Sequence, residues 1–379
     1  MKFGREAASL PNHRALSANE RILLSQLQRF SPLSRAELSR RTGLALPTVS
    51  RLSEQLLRDG LLVADQKVMM SSLGQPSTPL SANADGAFAF GATLRAEQLS
   101  MVLVDLMGRE RARRVEAISA PRLDAVMERM AILTEDLVND AGVAADRVAG
   151  IGIAVPGFFI GEPPLINAPL GMEDWAVAEL EEVLGKALAL PVAVENDGSA
   201  AAVGERIYGA GREVDSFAYF YIDRGFGGGI VQSGRLLRGA HGNAGEFTGL
   251  IPPEQRSSRP TLALLLQLAN AAGNQHETIA ALLNNLDVQA PYVDDWLRQI
   301  GPATDLALSA VAAVFDPAAV VLGGRLPTDL AQRLAEQSAF YSVPVRDRDR
   351  PFPVILPSQI VGDAAALGAA AVIFDRLFF

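Results

Sequence analysis

The 379-residue chain contains no cysteine. That excludes disulfides, thiolate metal sites, iron–sulfur clusters and cysteine nucleophiles together. Histidine is almost as scarce, with only His13, His241 and His276, and this argues against an all-histidine metal site. No metal and no cofactor is therefore expected. There is no run of about 18 apolar residues that could cross a membrane. The opening stretch MKFGREAASLPNHR lacks the apolar core of a signal peptide, so the cytoplasm is the expected location. At 49% hydrophobic and 20% charged residues the composition is that of an ordinary globular protein. The length points to about two or three domains.

The formal net charge of −9 is unevenly spread. Residues 1–70 hold 11 Lys and Arg against 6 Asp and Glu, and the rest holds 23 against 37. A basic head on an acidic body fits a polyanion-binding module joined to something else. Charge alone fits a small Arg-rich helical domain with a solvated outer face equally well.

The head reads as a winged helix-turn-helix. A first helix fits 19–30, with Leu23, Leu27 and Phe30 on one face, and Ser31-Pro32 breaks it. The next opens on Ser34-Arg35-Ala36-Glu37, a capping-box pattern, and Gly43 supplies the tight turn. A third helix carries Pro47 in its first turn and buries Val49, Leu52 and Leu56. Its other face holds Pro47, Thr48, Ser50, Arg51 and Gln55. Short polar side chains and an arginine at the N-terminal end of an exposed helix suit phosphate and base-edge contacts in a major groove. A wing strand fits 63–70 and a wing loop 71–77. Arg35 and Gln75 complete the expected DNA-binding set. Two narrower roles stay open: Arg51 touching phosphate only, and Pro47 only shaping the helix start.

From Ala87 the periodicity changes. Strands fit 87–94, 100–106 and 109–118, a helix 125–141, and buried strands 148–155 and 191–195. Asn196-Asp197 then opens an alanine-rich helix. A second block follows, with strands at 216–222 and 229–232, helical segments from Thr261, strands at 319–322 and 354–356, and a closing helix at 363–377. Two blocks of three strands followed by alternating helix and strand predict two related α/β lobes.

Three segments carry a family resemblance: Val194-Glu195-Asn196-Asp197, Gly225-Phe226-Gly227-Gly228-Gly229-Ile230, and Arg238-Gly239-Ala240-His241-Gly242-Asn243-Ala244-Gly245-Glu246. With these the chain resembles the ROK family of repressors, open reading frames and sugar kinases, most of all its repressor branch. The resemblance implies a winged helix-turn-helix over 15–82 and a two-lobed actin-like body over 83–379. The lobes would be 83–198 with the C-terminal helix, and 199–360.

It also frames the choice between sensor and kinase. Asp197 stands where family kinases place the base for the sugar hydroxyl, although an aspartate there equally hydrogen-bonds a sugar or caps a helix. The phosphate turn Asp-x-Gly-Gly-Thr of those kinases is matched by Thr93-Leu94-Arg95-Ala96-Glu97, with no glycine and an added acid. Arg224 replaces a small threonine in the second loop, where it would bind phosphate or, by its bulk, fill the space. The family's zinc cysteines are absent, and Gly249 takes the place of its histidine. The remaining ligand-binding candidates are Asn196, Asp197, Glu246, Asn167 and His241, a set of acceptors suited to vicinal hydroxyls. The expectation is a DNA-binding transcriptional regulator that is not an enzyme. By resemblance it represses carbohydrate uptake or catabolism genes. It would bind a pseudo-palindromic operator as a homodimer or homotetramer, under the control of a sugar or sugar derivative. The alternative is an ATP-dependent sugar kinase that retains a DNA-binding head.

Overall fold

The computed structural model describes residues 14–65, 78–95, 98–118, 121–162, 165–342, 344–346, 348 and 350–379. The chain divides into two compact units. The first comprises Met1–Gly157, Leu165–Glu195 and Ala366–Phe379, and the second Phe158–Pro164 and Asn196–Ala365.

The first unit opens with helices α1 (Ala18–Phe30), α2 (Arg35–Thr42) and α3 (Leu46–Arg58). The predicted capping box of α2 is present: the Glu37 amide donates to Ser34 Oγ at 3.2 Å, and the Ser34 amide to Glu37 Oε2 at 2.8 Å. Ser17 and Glu20 make a second box at the start of α1, legible as the same Ser-x-x-Glu spacing but not anticipated. Gly43 ends α2 at φ 72°, the left-handed conformation that glycine adopts without strain. Leu23, Leu24, Leu27, Leu38, Val49, Leu52, Leu56 and Leu80 form the buried centre. Strands β1 (Leu62–Ala64) and β2 (Leu80–Ala82) pair antiparallel, with Leu62 opposite Ala82. Only the start of the predicted wing strand is therefore seen. Gln75 and the wing loop lie outside the described residues.

No free linker follows β2. A single 3-10 turn, Ala84–Gly86, leads into the next sheet. Asn83 ties this junction to the end of α3, its amide side chain donating to Gly60 O at 2.7 Å and its backbone N–H to Leu61 O at 2.9 Å. Arg147 donates to Asp85 O at 2.7 Å. A Cβ on Gly86 would stand 2.9 Å from Gly60 O, so the two backbones nearly touch.

The sheet of this unit is built from β3 (Phe88–Arg95), β4 (Gln98–Asp105), β5 (Glu110–Ala117), β6 (Val148–Val155) and β9 (Val192–Asn196), in the order β5-β4-β3-β6-β9. Between these strands come α4 (Leu123–Ala141), β7 (Phe158–Ile160), β8 (Leu165–Asn167) and α5 (Leu180–Leu188). β3 runs antiparallel to β4 and parallel to β6. Every residue of β6 is buried, as its unbroken apolar run predicts for a strand covered on both faces.

The second unit repeats this plan. It contains α6 (Asp197–Tyr208), β10 (Phe217–Ile222), β11 (Phe226–Gln232), β12 (Arg235–Leu237), α7 (Leu262–Ala271), α8 (Ile279–Asn284), α9 (Pro291–Val314), β13 (Ala319–Gly324), α10 (Thr328–Gln337) and β14 (Val354–Pro357). Its strand order, β12-β11-β10-β13-β14, has the same connectivity as the first sheet, and β10 again pairs antiparallel on one side and parallel on the other. Phe220, Ile222, Leu265, Trp296, Ile300 and Leu308 lie at the centre of its core. The closing helix, α11 (Ala364–Leu377), begins in the second unit and ends in the first. The chain is thus an α/β protein, a winged helix-turn-helix head followed by the two repeated lobes of an actin-like fold.

The α1 box produces a pH dependence. Hydrogen bonds from Arg14 foremost, and from Ser17, hold the Glu20 carboxyl down to about 2 although burial opposes them. A depressed carboxyl contributes stability above its unfolded value and loses it as pH falls toward the folded one. We expect Glu20→Gln to cost about 1–2 kcal/mol at pH 7. In urea melts at pH 7 and pH 2.5 the difference between variant and wild type should shrink at the lower pH.

Candidate functional site

Two groups of predicted residues have separate homes. The first is the exposed face of α3. Its N-cap is Ala45, which offers no side-chain hydrogen bond, so the amides of the first turn are not capped by a side chain. Leu46 and Pro47 are exposed there, Arg51 is exposed one turn on, and Thr48 and Ser50 are half-buried beside them. Leu46, 48% exposed as the first helical residue, was not anticipated, since its apolar character places it with the core in a pattern reading. Ahead of α3, Ser39 Oγ donates to Leu44 O at 2.6 Å and shapes the turn. Arg35 is half-buried at the start of α2. Gln55 is tied into its own helix. Its amide donates to Asp59 Oδ1 at 2.8 Å and accepts from Arg58 at 2.7 Å, so both polar ends are engaged within the last turns of α3.

In the second group, Asn196, Asp197 and the Glu246 loop lie in the second unit, around the start of α6. Asn196 is its N-cap, with Oδ1 accepting from the Ser199 amide at 3.1 Å. Asp197 Oδ1 accepts from the Gly198 amide at 2.8 Å. The capping role weighed for Asp197 therefore belongs mainly to Asn196. The glycine-rich motif explains how neighbouring segments reach this point. A Cβ on Gly198 would lie 2.7 Å from Gly228 Cα, one on Gly228 1.9 Å from Tyr219 O, and one on Gly245 2.5 Å from Gly228 O. The first turn of α6, strand β11 and the Gly245-Glu246 loop thus meet backbone to backbone, with no room for side chains.

Glu246 closes this loop. Burial pushes its carboxyl up from the ordinary range, yet the side chain stays open to solvent. Crowding by protein with an open mouth is the setting in which a carboxylate gains from accepting ligand hydroxyls. His241 is exposed in the turn before it. Asn167 ends β8 in the other unit. Asn243 was missed. Its side chain both donates to and accepts from the Phe159 backbone, at 2.8 and 2.7 Å, and so fixes the loop that carries His241 and Glu246.

Two arginines lie near the end of β10. Arg224 is exposed. Arg325 folds onto Asp223, with Nε donating to Oδ1 at 2.7 Å. In the first unit Arg95 donates to Thr93 Oγ1 at 3.2 Å, while Ala96 and Glu97 lie outside the described residues. After Glu246, the segment where the family resemblance placed a zinc site forms 3-10 turns at Phe247–Leu250 and Pro253–Ser258. Phe247 anchors it against Phe220, with ring centroids 4.8 Å apart, and Ile251 is buried. Because Gly228 faces both the Tyr219 carbonyl and the Phe247 ring, Gly228→Ala should cost about 3 kcal/mol or more in denaturant melts.

Comparison with known proteins agrees with this division. Residues 96–258 match the model of the ROK family, and residues 25–66 that of the IclR helix-turn-helix domain. The uncharacterized protein y4fQ of Sinorhizobium fredii is 33% identical over 368 residues, covering 96% of this chain and 92% of that protein. The xylose repressor of Bacillus subtilis is 24% identical over 373 residues, 94% of this chain and 95% of the repressor. The crystal structure of a ROK family transcriptional regulator, a homolog of the E. coli MLC protein, shares the fold with a TM-score of 0.68. It is 24% identical, covering 95% of this chain and 96% of that one. The chain belongs to the ROK family and carries an IclR-type helix-turn-helix at its head.

Proposed function

We propose that this protein is a DNA-binding transcriptional repressor whose operator affinity is set by a sugar or sugar derivative bound near the start of α6. The observation that carries the reading is the head. A helix-turn-helix with an exposed, side-chain-uncapped α3 is joined without a linker to a body of the sugar-kinase type, in a chain whose full-length relatives include xylose repressors. The first-turn amides of α3 would meet phosphate. Thr48, Ser50 and Arg51 would face the groove, Leu46 would offer apolar contact to a thymine methyl, and Pro47 would set the helix start. Gln55, already engaged within α3, has the weakest claim of the original set.

In the body, Asp197 and Glu246 would accept hydroxyls from the ligand. Two copies would bind a pseudo-palindromic operator, in the cytoplasm. No described helix is long and apolar enough to cross a membrane. The family's kinases supply the second reading. Against it stand the Arg325–Asp223 pair at the end of β10 and the lack of glycines in the Thr93–Glu97 stretch.

Fluorescence anisotropy with DNA from beside its own gene should give specific binding that competitor duplex does not remove. Arg51→Ala should weaken it by about 1–3 kcal/mol if Arg51 reads a base, or lower the salt slope by about one if it holds phosphate. A thermal-shift screen starting with D-xylose should find a stabilising sugar, and Asp197→Asn should abolish the shift. A coupled ADP-release assay over the same sugars should show no turnover. Turnover lost in Asp197→Asn would establish the kinase reading instead.

A further inference from the structure

The head has another anchor besides the β2 junction. Arg21, in α1, reaches the end of α11. Its Nε donates to Phe379 O at 2.9 Å and its Nη2 to Asp375 O at 2.7 Å. The last carbonyls of a helix have no partner within the helix, and a cation there also meets the negative end of the helix dipole. Arg21 therefore caps α11 with a side chain that belongs to the DNA-binding head. The same turn is held from the body side, where Arg376 pairs with Glu181 of α5 at 3.0 Å.

The course of α11 gives this cap its consequence. The helix lies directly on the first sheet. A Cβ on Gly91 of β3 would fall 1.9 Å from Ala366 O, and one on Gly152 of β6 1.8 Å from Ala369 O. Its first residues, Ala364 and Ala365, belong to the second unit. There the preceding strap is gripped by the buried Glu205 of α6, which accepts from Ser358 Oγ at 2.7 Å and from the Gln359 amide at 2.9 Å. Asn196 and Asp197 stand at the other end of that same α6.

We infer that Arg21 is a positioning residue for DNA recognition: by capping α11 it fixes the orientation of the head on the helix that runs in from the sensing unit. This rests on the repressor reading above and adds a named contact through which body and head are coupled. Among the described residues, the Asn83 junction and the Arg21 cap both hold the head. Removing the cap leaves the head with less to hold its angle and lets it rotate about the junction. In a dimer the angle between two fixed heads sets the half-site spacing that the protein tolerates.

The test uses the full chain and the operator fragment found by anisotropy, compared with the same fragment carrying one or two extra base pairs between half-sites. Wild type should lose about tenfold or more in affinity on insertion. Arg21→Ala should bind both fragments within about threefold of each other, and Arg21→Lys, which keeps the charge and can reach one carbonyl, should fall between. Hydrogen exchange should rise in Arg21→Ala at residues 375–379 and along α1 but not in α2 and α3, which separates a loosened head from an unfolded one. Spacing discrimination unchanged in Arg21→Ala overturns the inference and leaves the repressor reading intact. Loss of α2 and α3 protection in both variants overturns it as well, by making Arg21 a folding residue. Wild type that binds no specific DNA overturns both readings.

Discussion

Contact between helix and strand backbones is the constraint on which the rest of this molecule depends. α11 crosses Gly91 and Gly152 with its alanine face, and the start of α6 meets Gly228 at a distance that excludes any Cβ. Alanine on the helix and glycine on the strand bring the elements closer than side-chain packing allows, and dense interiors leave no slack for a larger group. The axes of both helices are fixed as a result. One end of α6 presents Asp197 beside the Glu246 loop, and the far end of α11 lies under Arg21.

Around that framework, single polar side chains hold the loops. Asn83 satisfies the end of α3, Asn243 the backbone at Phe159, Glu205 the strap before α11, and Asp223 the turn after β10. A main-chain group buried without a partner costs more than a hydrogen bond returns, so each of these side chains pins a loop that would otherwise have to stay in water. The segment after Glu246 is held differently. Phe247 and Ile251 bury apolar surface there, and the aromatic contacts with Phe220 and Phe226 give the loop a fixed seat. An acidic, cysteine-free chain keeps a defined loop there by hydrophobic burial.

Most elements were legible before the structure. The strand at Val148–Val155 fell where its apolar run placed it, the capping box at Ser34 and Glu37 set the start of α2, and the three-strand block with its repeat predicted both sheets. Legibility failed where partners are far apart in the chain. Nothing local marks Asn243 as the partner of Phe159, 84 residues away, or Arg325 as the partner of Asp223, 102 residues away. Gln55 shows another limit: a helix-face pattern shows which way a side chain points but not that Arg58 and Asp59 are close enough to bond it.

The sequence by itself determined the elements, their order, the basic head and the acidic body, because periodicity, caps and turn residues act over a few positions. It also determined that metal and thiol chemistry would find few ligands. Only the tertiary structure decided what Gly228 and Gly229 of the Gly225–Ile230 motif do, since close approach is a property of two segments. It likewise decided that Arg325 pairs with Asp223, and that an arginine on the first helix ends up on the last. Those outcomes depend on which backbones meet, and that is set by the packing of whole sheets and helices.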